Sequence, residues 1–137
     1  MSGGRLTFRR RHRLRHAREY QRVAEERVRK SAGPLVVSIA PSGLDQHRLG
    51  LAVGRRVGSA VVRNRIKRNL RESFRQARDQ FPRPTAGGSY DIVVGLRPHQ
   101  ALGQREYQAL LVELVGLGHA VCERRSRREG SAPERSS

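Results

Sequence analysis

Arg63, Asn64, Arg65, Lys67 and Arg68 stand within one short stretch, and Arg71 follows. Guanidinium groups fork onto phosphate oxygens. An asparagine offers both a donor and an acceptor to a base or sugar edge. That combination suits recognition of a polyanion, RNA above all. Arg55 and Arg56 add a second basic pair just upstream, and only Glu72 opposes the run as far as Arg75. An ordinary run of four or five charges is a solvated helix face. This one is nearly one-signed and carries Asn64 between two arginines.

Bond-making chemistry finds no comparable cluster. Glu19, Glu25, Glu26, Asp45, Glu72, Asp79 and Asp91 are scattered, and none pairs with another in a motif for catalytic metals. No motif supports a Ser-His-Asp or Cys-His arrangement. Neither Gly54 to Gly58 nor Gly87-Gly88 forms a phosphate loop of the P-loop type. His12 and His16 are four apart, but the arginines around them repel a cation. Cys122 is the single cysteine, which excludes a disulfide framework and makes a structural zinc an unsupported reading. The residues point away from autonomous catalysis.

Composition agrees. The 137 residues carry a net charge of +17, with a pI near 11.8. Such charge repels itself and favours a polyanionic partner. Nucleic acid comes first and an anionic membrane surface second. All basic residues except Lys30 and Lys67 are arginine. Arginine suits RNA, although drift of Lys to Arg in a GC-rich genome accounts for most of the excess at exposed sites. The chain is 36% hydrophobic and lacks Trp, so its core must be modest and built from Val, Leu and Ile. No apolar run reaches the roughly 20 residues that span a bilayer. The basic start has no hydrophobic stretch behind it, unlike a secretory signal. A cytoplasmic protein is the expectation.

Elements must position the basic cluster. Residues 1–15 form a basic arm, expected to be disordered without a partner. Tyr20, Val23, Ala24 and Val28 recur at helical spacing and predict a first helix over about 16–30. Strands are predicted at 35–40 and 47–55, most simply paired as a hairpin. Ser59 is a fair N-cap for a long helix over 59–79, about 31 Å in length. Val62, Ile66, Leu70 and Phe74, joined by Val61 and Ala77, make its buried seam. Arg63, Lys67, Arg71, Arg75 and Arg78 form a basic row beside it. Residues 90–96 make the most apolar strand, parallel to the second across the helical crossover. A last amphipathic helix covers about 103–120, and 121–137 reads as a disordered tail. The order α-β-β-α-β-α predicts a single α+β sandwich domain over 16–120.

The stretch Gly50 to Arg75 closely resembles the signature of the bacterial ribonuclease P protein subunit. It has a strand carrying Gly50-Leu51 and Val53, the basic pair Arg55-Arg56, the turn Val57-Gly58, Ala60-Val61, Arg63-Asn64-Arg65, Ile66, and Lys67-Arg68. The Leu14 to Val23 segment and Tyr90 to Val94 are similar to flanking parts of that family. The resemblance covers about residues 13–118.

The resemblance implies an α/β sandwich similar to the second domain of a small-subunit ribosomal protein, with a left-handed βαβ crossover. It implies an auxiliary subunit of an endoribonuclease, whose catalytic RNA subunit removes the 5′ leader of precursor tRNA. Mg²⁺ is then held chiefly by that RNA and none by the protein alone, and no obligate protein partner is implied. The protein would broaden the substrate range. Arg55, Arg56, Arg63, Asn64, Arg65, Lys67, Arg68 and Arg71 would contact RNA. A cleft between the first helix and the sheet would take the leader, with Tyr20, Arg22 and Ser38 contributing. On its residues alone Tyr20 reads as a core aromatic. Arg55 and Arg56 replace the family's usual lysines, and Ala24 and Ser38 stand where relatives often carry larger aromatics. A ribosomal or assembly protein sharing the sandwich, and a DNA-compacting protein, are the other classes compatible with composition.

Overall fold

The Ser59 hydroxyl accepts a hydrogen bond from the Val62 amide at 3.3 Å, satisfying one orphan donor where the long helix begins. In the computed structural model, which describes residues 10–130, this helix runs Ala60–Ala77. It is α2 in an order α1 (Ala17–Glu26), β1 (Arg29–Ala32), β2 (Leu35–Pro41), β3 (Arg48–Ala52), α2, β4 (Tyr90–Leu96) and α3 (Gln104–Gly130). Ile66, Leu70, Phe74 and Ala77 are fully buried, and Val62 is partly buried at the seam's start. Val61 is not part of the seam: it is 68% exposed. At 100° per residue it sits roughly 140° around the helix from Ile66. Ser73 takes the place, fully buried, and its hydroxyl donates to the Asn69 carbonyl at 2.8 Å.

The four strands form one sheet in the order β1-β2-β4-β3. β3 and β4 are parallel across the α2 crossover, as expected. The simple hairpin of β2 with β3 does not form, because β4 inserts between them and pairs antiparallel with β2. The physical reason is burial. β4 is the most apolar strand and needs a neighbour on each side, whereas the short β1 and β3 take the edges. Leu35, Val37, Ile39, Leu49, Tyr90, Ile92 and Val94 face α2 and α3 and make the main core. The other sheet face carries only a small cluster of Leu14, Val23 and Ala40, with Tyr20 and Val93 against it.

The first helix ends at Glu26, four residues earlier than its periodicity suggested. Arg27 adopts a left-handed conformation (φ 59°) that turns the chain into β1. Val28, counted in the helical stripe, instead enters the main core. A tight turn with Gly33 at φ 55° then joins β1 to β2.

Residues 10–15 and 121–130 hold more structure than a free arm and tail. Arg10–His12 form a 3₁₀ turn, His12 and Leu14 are buried, and the Leu14 amide donates to the Leu49 carbonyl at 2.9 Å. Residues 1–9 and 131–137 lie outside the described residues. α3 runs past Gly116 and Gly118 to Gly130. Gly118 serves close packing: a Cβ there would stand 2.8 Å from Ile39 Cδ1. Beyond it, Cys122 is buried, Glu123 bonds the Thr85 backbone and hydroxyl, and Arg125 donates to the Glu26 carbonyl at 2.6 Å. The predicted tail over 121–130 is thus helix with specific partners.

Charge docks α1. Asp91 on β4 is fully buried, and Arg48 on β3 forks onto both of its oxygens at 2.8 Å. Arg22 on α1 reaches the same carboxylate at 2.6 Å and the Pro41 carbonyl at 3.0 Å. Arg48 also donates to Glu19 at 2.9 Å. The other Glu19 oxygen accepts from the Arg15 and His16 amides at the start of α1. These amide bonds, then Arg48, pull the Glu19 carboxyl down from its ordinary 4.5 to about 2. A depressed acid stabilises the fold above its unfolded pKa and loses that contribution as pH falls toward the folded value. Glu19→Gln should therefore lower stability by about 1 kcal/mol at pH 7. The difference from wild type should shrink as pH falls from 4.5 toward 2, read from denaturant midpoints across pH.

Candidate nucleic-acid interface

α2 is amphipathic in two senses. Its apolar seam faces the sheet, and its cations divide between an outward group and an inward-leaning one. Arg55 and Arg56 lie in a 3₁₀ turn before α2 (Arg55–Val57) and are exposed, as are Asn64, Arg65 and Arg68. Arg63, Lys67 and Arg71 are half-buried. Arg63 turns back, its Nε donating to the Gly58 carbonyl at 3.1 Å. The predicted cluster is thus assembled on one helix and its preceding turn.

The basic row is shorter than the sequence suggested. Arg75 forks onto Glu72, its Nε at 2.9 Å from Oε1, and this holds the Glu72 carboxyl below its usual range. Arg78 lies 3.1 Å from both His12 ring nitrogens. The Arg75–Glu72 pair is local, at i,i+3 spacing, whereas the Arg78–His12 partnership was not legible because His12 lay in the presumed arm.

Lys67 and Arg71 line a cavity of about 110 Å³ together with Arg13, Leu14, Tyr20, Leu49 and Leu51. No carboxylate is among these lining residues. Burial and then the charge of Arg13 push the Arg71 guanidinium down from its ordinary value. Crowded like charges of this kind are relieved by a bound anion. Tyr20 supplies an aromatic wall and is held in place, its hydroxyl accepting from the Leu51 amide at 3.2 Å.

A second cavity of about 300 Å³ opens on the sheet face that α1 leaves uncovered. Ser38, Val36, Val93, Gly95 and Ala52 form its floor, and Arg29 and Arg97 stand beside it. The first cavity lies at the free edge of β3, and Val93 on the floor of the second packs against the same small cluster as Tyr20. Tyr20 and Ser38 therefore share the face but not the cavity. Arg22 lines neither and is bound to Asp91 and Pro41. Sequence reasoning passed over Arg13, Arg29 and Arg97. Only the alternation of β2 and β4 could have hinted at a floor of small side chains between them. Among the described residues, no three His, Cys, Asp or Glu side chains gather as a metal-ligand set. No described helix is long and apolar enough to cross a membrane.

The Tyr20 ring rests on Gly50, where a Cβ would stand 2.8 Å from two ring carbons. Gly50→Ala should displace the ring and cost about 1–2 kcal/mol. In a Tyr20→Ala background the same change should be close to neutral, a coupling that thermal unfolding of the four-protein cycle would measure.

A mixed four-stranded sheet with one short helix on one face and two long helices on the other, one of them strongly basic, defines an α/β sandwich of a recognisable kind. A family model described as Ribonuclease P matches residues 8–120. The ribonuclease P protein component of Syntrophobacter fumaroxidans is 42% identical over 95 residues, covering 69% of this chain and 76% of that protein. That of Chloroflexus aurantiacus is 38% identical over 95 residues, covering 69% and 67%. Among solved structures, the RNase P protein from Thermotoga maritima aligns with a TM-score of 0.65 at 30% identity, over 75% of this chain and 94% of that one. The Staphylococcus aureus RNase P protein aligns with a TM-score of 0.65 at 26% identity, over 77% and 94%. The chain belongs to the ribonuclease P protein-component family, and its role lies in that endoribonuclease ribonucleoprotein.

Proposed function

We propose that this chain binds the catalytic RNA of ribonuclease P through α2 and its preceding turn, and the single-stranded 5′ leader of precursor tRNA through the adjoining cleft. The observation that carries the reading is the divided basic surface of α2. Its outward residues Asn64, Arg65 and Arg68, with Arg55 and Arg56 in the preceding turn, are accessible to a large structured RNA. Its inward ones, Lys67 and Arg71, meet Arg13 and Tyr20 at a cavity sized for part of a nucleotide. Cations there would hold leader phosphates while Tyr20 offers a stacking surface. Beyond it the open floor between Arg29 and Arg97 gives an extended strand somewhere to lie.

The division of labour follows from the side chains. The protein supplies positive potential, an aromatic wall and a groove, all of them binding functions. Hydrolysis of the phosphodiester is assigned to the RNA, with Mg²⁺ held chiefly by it. By fixing the leader, the protein orients the substrate against that RNA and widens the range of precursors handled. The setting is the cytoplasm, and no further protein is required.

Reconstitution tests this. Protein alone should leave precursor tRNA intact, and adding the catalytic RNA of the same genome should give leader removal at low Mg²⁺. Cleavage by protein freed of contaminating nuclease would overturn the reading. A ribosomal role would appear instead as co-sedimentation with ribosomal subunits and unaltered tRNA 5′ ends.

Salt dependence examines the surface itself. Affinity for the catalytic RNA should fall steeply with ionic strength, because each neutralised phosphate releases counterions. Arg65→Ala and Arg68→Ala should each weaken binding and reduce the log–log salt slope by about one. Slopes unchanged in both variants would remove α2 from the interface.

A further inference from the structure

The wall of the cleft is a weak element by its own resources. α1 has ten residues, short of the roughly 12–15 that an isolated helix needs in water, and Val23 is its one buried residue. The cluster beneath it is small. Its height above the sheet must be set by something else.

The ion network on β3 and β4 does this. Arg48 and Asp91 are direct partners in the parallel pairing, and the Arg48 fork neutralises Asp91 from within the sheet. Arg22 descends from α1 to the same carboxylate, and its other nitrogen takes the Pro41 carbonyl at the end of β2. The third Arg48 nitrogen returns to α1 through Glu19. Three strands and the helix thus meet at one carboxylate. Asp91 shares its sheet face with Val93 and Gly95, the floor of the second cavity. The network lies at one end of the cleft, and the floor continues from it. The far end of α1 is held separately by Arg125, which donates to the Glu26 and Arg27 carbonyls.

We infer that Asp91, Arg48 and Arg22 form a latch that sets the width of the cleft, and so its affinity for single-stranded RNA. They are positioning residues. Asp91 is fully buried, and the Arg22 guanidinium is engaged by Asp91 and the Pro41 carbonyl. This inference rests on the reading of the cleft as the leader site. Burial matters to its working: exposed phosphate contacts are screened by salt, while a partly buried pair such as Arg48–Asp91 is screened much less.

The test uses holoenzyme reconstituted from full-length protein and the catalytic RNA of the same genome. It compares affinity for precursor tRNA with affinity for tRNA lacking the leader. The ratio is the leader preference. Arg22→Gln leaves Asp91 paired with Arg48, so the protein should fold, verified by its thermal transition and its affinity for the catalytic RNA. It should lose about fivefold or more in leader preference. Arg48→Lys keeps the charge but breaks the fork, and should show a comparable loss, since it acts on the same carboxylate. Arg22→Lys, which can still reach Asp91, should fall between wild type and Arg22→Gln. Wild-type preference in folded Arg22→Gln would overturn the latch. Loss in Arg22→Gln with full preference in folded Arg48→Lys would also overturn it, showing direct contact by Arg22. A wild-type holoenzyme without leader preference would instead defeat the leader-site reading itself.

Discussion

A buried carboxylate organises this fold. Moving an ion from water into a protein interior costs several kcal/mol unless good partners meet it. Asp91 has no solvent exposure, so guanidinium groups must arrive at both its oxygens. The condition constrains far more than one side chain. Arg48 lies opposite Asp91 only in the observed register of β3 on β4. A slip of one residue would leave the charge without its fork and turn the apolar set of β3 to the wrong face. The parallel pairing, its register and the docking of α1 are thus coupled through one charge.

The alternation of β4 then sorts the sheet into a core face and a face toward α1. Tyr90, Ile92 and Val94 point into the core under α2 and α3, while Asp91, Val93 and Gly95 point toward α1. α2 belongs to both. Its seam of Ile66, Leu70, Phe74 and Ala77 is locked into the core. That lock fixes the helix's rotation, so Lys67 and Arg71 lean over the α1 side while Arg65 and Arg68 stay in solvent. Helix rotation, set by apolar burial, decides which cations border the cavity beside Tyr20 and which face outward.

The extension of α3 beyond residue 120, where the family match ends, bears on the same wall. Arg125 occupies carbonyls at the end of α1 that no helical amide can reach. Glu123 ties the extension to Thr85. α1 is consequently held at its start by Glu19 and Arg48 and at its end by α3, with little apolar area between.

Much of this was readable in residue order, for local reasons. The seam of α2, its Ser59 cap, the apolar run of β4 and the parallel crossover all follow from short-range periodicity and capping chemistry. So does the basic cluster, because helical spacing alone gathers Arg63 to Arg71 on one surface. Tertiary structure decided the rest. Whether β4 lies beside β2 depends on which apolar faces meet, and no local pattern encodes strand order. β1 and the turn at Arg27 were hidden because Val28 fits a helical stripe as well as a core position. Arg13, Arg29 and Arg97 reach the cleft from separate places in the chain, and Arg78 is drawn to His12, 66 residues away. The opening residues show the difference most clearly. Sequence by itself determined that Arg63-Asn64-Arg65 and its flanks would present one-signed charge on one helix, because helical spacing gathers them and no acidic residue there offsets them. Only the folded chain decided that part of this charge would border a groove, because that requires a short helix held above a sheet by a carboxylate 69 residues from Arg22.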